Sequence, residues 1–172
     1  PYHDGSYLYL AEDFFGLSAN IFDGTTLTQI DNDNSIGARH VWKDNNDNIL
    51  VVTTTGLAAY SFDGTTLTQI ATATTPTGTG EGWFDGDYIY ISATDSESDY
   101  YAYSFNGSNF TLHDTLTVDN NFSRYIVGNG KYIFLMDFGS VEAYSFDGNN
   151  FVKIGKSANG GFVHDIYLSL IH

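Results

Sequence analysis

Six side chains in this sequence have the types and positions for ligand chemistry: Arg39, His40, Trp42, Trp83, Arg124 and His164. The two arginines and two tryptophans are the chain's only ones. Guanidinium and indole groups together can hold a small anion or a sugar, one through charged hydrogen bonds and the other through its π face. His3 joins His40 and His164 as imidazoles that a metal could use; polarity lining a channel is the plainer account of them. Asp31 and Asp33, in Asp31-Asn32-Asp33-Asn34-Ser35-Ile36-Gly37, space their oxygens as a hard cation such as calcium requires. The glycine falls one place late for a helix-loop-helix calcium site, and Trp42 stands where a closing glutamate belongs. A polar connection between strands explains the tract more simply, and no other cofactor is expected. The run Asp44-Asn45-Asn46-Asp47-Asn48 reads as a long hairpin loop. No nucleophile elbow is present, and no histidine pair has helical metal-site spacing, so no catalytic residue is assigned.

The elements that must position these residues repeat. Ala59-Tyr60-Ser61-Phe62-Asp63-Gly64 returns as Ala102-Tyr103-Ser104-Phe105-Asn106-Gly107 and as Ala143-Tyr144-Ser145-Phe146-Asp147-Gly148. Ala19-Asn20-Ile21-Phe22-Asp23-Gly24 is the first copy. The spacing is about 40 residues, the period of a four-stranded blade. Each unit reads as four short strands, A to D. Asp-Gly or Asn-Gly predicts a two-residue hairpin between C and D, because both residues accept positive φ. The B strands, such as Ile49-Leu50-Val51-Val52 and Tyr88-Ile89-Tyr90-Ile91, are apolar at consecutive positions, which predicts burial on both faces. Phe62, Phe105 and Phe146, with Phe22 as a fourth, are expected at equivalent buried positions between blades. The six candidate ligand residues all fall on A strands, which would line a central axis.

The fold expected is all-β: a β-propeller of four blades, each of four antiparallel strands, forming a single domain. The units run approximately 1–34, 35–75, 76–118 and 119–158, with a closing strand at 159–172. Phe162 to Asp165 resembles an A strand and is expected to pair with Tyr7 to Leu10, supplying the inner strand of the first blade.

Acidic residues number 21 against 6 basic, for a net charge of −15. That field repels phosphate backbones and excludes nucleic acid as an expected partner. It favours cations and basic proteins. There is no cysteine, and no apolar run reaches the length of a membrane span. A composition rich in Thr, Asn, Asp and Gly suits an extracellular or cell-surface protein.

The Ala-Tyr-Ser-Phe-Asp-Gly segment and the Tyr-Ile-Tyr-Ile strand before it resemble the β-propeller repeats of the YVTN, LVIVD and lactonase-like class. The resemblance implies architecture and leaves function open. Near-identical blades point to a non-catalytic extracellular scaffold or interaction module, self-assembling through the C-terminal strand, with proteins or copies of itself as partners. The alternatives are a glycan-binding propeller and a lactonase-like hydrolase with an axial site.

Overall fold

A computed structural model describes residues 1–75, 79–93, 98–118, 125–137 and 140–157. Among the described residues there are sixteen strands and no helix. The first sheet holds β1 (Tyr2–His3), β2 (Leu8–Ala11), β3 (Leu17–Phe22) and β4 (Leu27–Asp33). The second holds β5 (Ala38–Lys43), β6 (Ile49–Thr53), β7 (Gly56–Phe62) and β8 (Leu67–Thr74). The third holds β9 (Thr79–Phe84), β10 (Tyr88–Ala93), β11 (Tyr100–Phe105) and β12 (Phe110–Leu116). The fourth holds β13 (Tyr125–Gly128), β14 (Ile133–Asp137), β15 (Ser140–Phe146) and β16 (Phe151–Lys156). Strands lie in chain order within every sheet, antiparallel to their neighbours. These are four propeller blades, each made from one contiguous stretch of chain.

The chain groups into two compact units: Pro1–Thr79 with Asn106–Phe110, which holds the first two sheets and the β11–β12 turn, and a second that begins at Gly80 and holds the rest of the last two sheets. In the first unit Tyr9, Leu17, Val41, Ile49, Val51 and Tyr60 form the core. In the second, Tyr90, Tyr100, Ile126, Leu135 and Tyr144 do. Ile49 through Val52 are all at most 1% exposed, so β6 is covered on both faces, as its unbroken apolar run requires.

The C-to-D hairpins are longer than the two-residue turn expected. Phe62 pairs with Leu67 and Phe146 with Phe151, leaving four-residue loops at 63–66 and 147–150. The aspartate explains the difference. Asp63 Oδ1 accepts hydrogen bonds from the backbone N–H of Thr65 and of Thr66, both at 2.8 Å, and so builds an Asx turn. Gly64 takes the positive φ of 95° that the loop then needs.

Beyond each of three hairpins the ladder slips by one residue. Tyr60 pairs with Gln69 but Ala59 with Ala71, leaving Ile70 unopposed. Ile30 and Ile154 hold the same place opposite β3 and β15. This bulge re-aims the next side chain on the outer strand. In the first sheet that residue is Asp31, whose Oδ2 accepts the N–H of Leu67 in the second sheet at 2.7 Å. In the third sheet Asp114 holds the same place in the repeat, and its Oδ2 accepts the N–H of Phe151 in the fourth at 2.8 Å. The second and fourth sheets carry Ala71 and Gly155 there, neither with a side-chain acceptor. The carboxylate therefore clamps sheets in pairs, within each unit.

Two expectations need correction. Phe62 and Phe146 are half-buried against aromatic neighbours, but Phe22 is 59% exposed. It shares the repeat without sharing the packing. The inner edge of β2 also has a partner from the chain's own start: Tyr2 pairs with Tyr9 and His3 with Leu8. Residues 162–165, expected on that edge, lie outside the described residues, as does the rest of the closing strand.

Candidate functional site

The richest cluster of chemistry lies in the first unit, where the A-to-B turn of the first sheet meets the end of β5. Asp4 follows β1. Its Oδ1 accepts the N–H groups of Ser6 at 2.9 Å and Tyr7 at 2.8 Å, which fixes the turn. Its Oδ2 points the other way and accepts from Lys43 Nζ at 2.7 Å and from the Tyr9 hydroxyl at 3.2 Å. Lys43, the last residue of β5, also reaches Asp47 Oδ1 at 3.1 Å. Tyr2, Tyr7 and Phe62 wall the adjoining cavity of about 390 Å³.

The electrostatics hold this cluster in one charge state. Burial alone would raise the Asp4 pKa, but the Lys43 ammonium and the Tyr7 and Ser6 amides outweigh it, and the carboxyl sits well below its usual range. Burial would likewise depress Lys43, but Asp4 and Asp47 keep it above the ordinary lysine value. The Tyr9 phenol is pushed up to about 12, chiefly by burial. Lys43 is thus a fixed ammonium. Its side chain is 16% exposed, and two of its N–H donors are engaged, leaving the third for a ligand. Asp47 is different: its side chain is 89% exposed and its φ is 66°, a left-handed conformation uncommon outside glycine. Asp44 builds the loop that imposes it, accepting the N–H groups of Asn46 and Asn48 on one oxygen. Backbone strain beside a charged cavity is a reason to look for function there.

The second unit repeats the frame without a lysine at the position of Lys43. Asp85 stands where Asp4 does, accepting from the N–H groups of Asp87 and Tyr88 and from the Tyr90 hydroxyl at 2.9 Å. Lys43 pairs with Ile49, and Gly128 pairs with the equivalent Ile133, so Gly128 holds the lysine position. The Trp83 indole packs on Gly128, in the space a Cβ would take, and stacks on Tyr90 at 5.5 Å and 17°. The cavity left beside it is about 160 Å³. Of two like frames, one holds a lysine between carboxylates and the other an indole.

The residues singled out from sequence are distributed otherwise. His40 and Trp42 stack on one face of β5, ring centroids 5.7 Å apart. Arg39 sits in a bulge, since Ala38 pairs with Thr53 and His40 with Val52. Its guanidinium turns off the ladder, donates to the Thr79 carbonyl and lies 3.9 Å from Asp13. Trp83 belongs to the second unit's frame. Arg124 and His164 lie outside the described residues. Asp31 is the clamp to Leu67, and Asp33 accepts from Ser35 and, at 2.8 Å, from the Tyr60 hydroxyl. Among the described residues no group of three or more His, Asp and Glu is arranged to hold a metal. Asp4, Tyr9 and Lys43 escaped the sequence reading, and Asp47 entered it only as part of the long hairpin loop that the structure shows between Lys43 and Ile49. One signal was available: Lys43 is the only lysine before Lys131 in a strongly acidic chain.

No family model and no curated relative matches the sequence. Solved structures do match the fold. A putative 6-phosphogluconolactonase from Bacteroides uniformis is 19% identical, with a TM-score of 0.68 over 87% of this chain and 50% of its own. One from Bacteroides fragilis is 17% identical, with a TM-score of 0.71 over 88% and 51%. The periplasmic gluconolactonase PpgL of Pseudomonas aeruginosa is 12% identical, with a TM-score of 0.74 over 92% and 52%. The chain spans about half the length of these proteins. They overturn the expectation of a non-catalytic extracellular scaffold, and the lactonase-like alternative accords with them better. That expectation rested on the regularity of the repeats, which Lys43 breaks in one unit.

Proposed function

We propose that this chain carries the substrate site of a lactonase-like hydrolase, in the cavity beside Lys43. The observation that carries the reading is the Lys43 ammonium held between Asp4 and Asp47 with one donor to spare. A lactone carbonyl placed on that donor would gain stabilisation as its oxygen becomes negative. Asp47, exposed at the rim, is the base that takes a proton from the attacking water. The water oxygen bonds to the carbonyl carbon, the ring C–O bond breaks, and the proton passes from Asp47 to the departing ring oxygen. The product is the open hydroxy acid, and Lys43 stays charged throughout.

The surroundings favour a neutral polyhydroxylated lactone over a phosphorylated one. Asp4, Asp44 and Asp47 line the cavity with a single lysine, and the whole chain carries −15. Carboxylates accept hydrogen bonds from sugar hydroxyls and repel phosphate. The aromatic walls suit the C–H faces of a sugar ring.

The test is proton release from gluconolactone above the spontaneous rate, compared with its 6-phospho derivative. Wild-type protein should accelerate the neutral lactone preferentially. Lys43→Met should abolish the acceleration, and Asp47→Asn should lower kcat more than it changes KM. A wild-type rate equal to buffer refutes the reading, and sugar binding without turnover would point to the glycan-binding alternative.

A further inference from the structure

Ser104 of β11 and His113 of β12 meet in the third sheet, with Ser104 Oγ 2.8 Å from His113 Nε2. Both residues are half-buried and so partly open to solvent. A serine hydroxyl within hydrogen-bond reach of an imidazole nitrogen is the arrangement that activates a weak nucleophile. The imidazole is also fixed in orientation. It stands edge-on to Tyr88 at 5.4 Å and 87°, and to Phe146 at 6.2 Å and 79°. Ser104 pairs with Tyr88 of β10, so the serine and the phenol lie on one face of the sheet.

The repeat shows that packing does not demand this pair. Eight residues past each repeat phenylalanine stand Ile30, Ile70, His113 and Ile154. One residue before it stand Ile21, Ser61, Ser104 and Ser145. The aromatic setting is common to both units. Phe146 is a knob edge-on to Tyr88 and Tyr90, at 4.9 and 5.7 Å, as Phe62 is to Tyr7 and Tyr9, at 5.0 and 6.0 Å. In the first unit the places of Ser104 and His113 are held by Ile21 and Ile30, and the same aromatic frame forms. A β-branched isoleucine meets the needs of an outer strand, so the imidazole adds a proton acceptor rather than support.

We propose that Ser104 is a nucleophile toward uncharged carboxylic esters, with His113 as its base. In a neutral imidazole whose proton is on Nδ1, Nε2 is free to take the Ser104 proton as Oγ bonds to the ester carbonyl carbon. The C–O bond to the alcohol then breaks, the alcohol oxygen takes that proton from His113, and the acyl group stays on Ser104. Water attacks the acyl carbon, its proton passes through His113 to Ser104 Oγ, and the carboxylic acid leaves. Asp114 adjoins His113 and the whole chain carries −15, so anionic esters are repelled. Tyr88 and Phe146 set apolar rings beside the imidazole, which suits an ester with an aryl or alkyl group. The pair lies in the second unit and does not rest on the lactone reading.

Labelling of the full chain with an alkyl fluorophosphonate, followed by peptide mass spectrometry, tests it. Ser104 Oγ should displace fluoride and keep the phosphonyl group, so the reacting residue is read directly. Ser61 and Ser145 are internal references, because Ile70 and Ile154 stand where His113 does. A positioned base contributes about 10²–10⁴-fold, so Ser104 should label at least about 100-fold faster than either. Ser61 is more exposed than Ser104, so accessibility works against that result. His113→Ile, the residue of the other three sheets, should bring Ser104 down to the rate of Ser61 and Ser145. His113→Gln keeps a hydrogen-bond partner but takes no proton, and it serves if the isoleucine variant fails to fold. In Lys43→Met protein, where the lactone site is silenced, Ser104→Ala should lower the release of 4-nitrophenolate from 4-nitrophenyl acetate several-fold. Equal labelling of the three serines overturns the proposal. So does a His113 variant whose Ser104 labels as fast as wild type, or ester cleavage in Lys43→Met protein that Ser104→Ala leaves unchanged.

Discussion

Asp31 and Leu67 are 36 residues apart, yet the Oδ2 of one accepts the backbone N–H of the other at 2.7 Å. The bond joins the outer strands of the first and second sheets, and Asp114 with Phe151 repeats it between the third and fourth. Backbone donors on an outer strand are otherwise left to water, so the carboxylate satisfies a sheet edge as it ties two blades together.

Removing that acceptor should loosen a pair of blades. Asp31→Ala is expected to cost about 1–2 kcal/mol, a charge-assisted hydrogen bond discounted for partial exposure. Asp114→Ala should cost a similar amount. Urea titration measures both, and a change below experimental error at both sites would mean that the clamp does not contribute.

The knob contacts should matter more. Phe62 lies edge-on to two tyrosines but is half-buried, so Phe62→Ala is expected to cost about 2–3 kcal/mol, below the range for a fully buried phenylalanine. Phe146→Ala should match it within error. A large inequality would show that the two units are not energetically alike.

Acid should act through Glu142. Burial alone would raise its pKa, but Lys153, Tyr144 and Lys156 hold it down to about 2 from an ordinary 4.5. A carboxyl depressed on folding contributes stability above its unfolded pKa and loses that contribution as pH falls through the folded one. Stability should therefore decline between about pH 4.5 and pH 2, by up to about 3 kcal/mol from this group. Asp4, also depressed, adds to the loss at the acid end of that window. Glu142→Gln should flatten the decline in denaturant midpoints measured from pH 7 to pH 2. An equally steep decline in the variant would remove Glu142 from the account.

Gly128 should tolerate no side chain. A Cβ there would occupy the place of the Trp83 ring. Gly128→Ala is expected to cost about 1–3 kcal/mol by overpacking. It should also shift tryptophan emission by moving the indole off Tyr90. Unchanged emission and stability would mean that Trp83 has an alternative seat.

Much of the fold was legible because its signals are local. The repeat period set the number of sheets, and the unbroken apolar run at Ile49–Val52 marked a strand covered on both faces. Asp63-Gly64 marked a hairpin, though its length depended on which amides the aspartate side chain accepts. Phe22 shows the limit of the repeat: it carries the same residue as Phe62, but burial belongs to the neighbour, and the first sheet has no earlier sheet against it within its unit.

The candidate site was scarcely legible. Asp4 and Lys43 are 39 residues apart, and nothing in either segment marks the other. By itself the sequence determined the all-β architecture, the four-stranded blades and the acidic surface, because periodicity, turn residues and charge act over short distances or in aggregate. The tertiary structure decided that Asp31 clamps a neighbouring strand, that Arg39 sits in a bulge, and that one frame encloses a lysine where its twin encloses an indole. Those outcomes depend on register and on the bulges that re-aim individual side chains, and a shift of one residue in either changes which side chains meet.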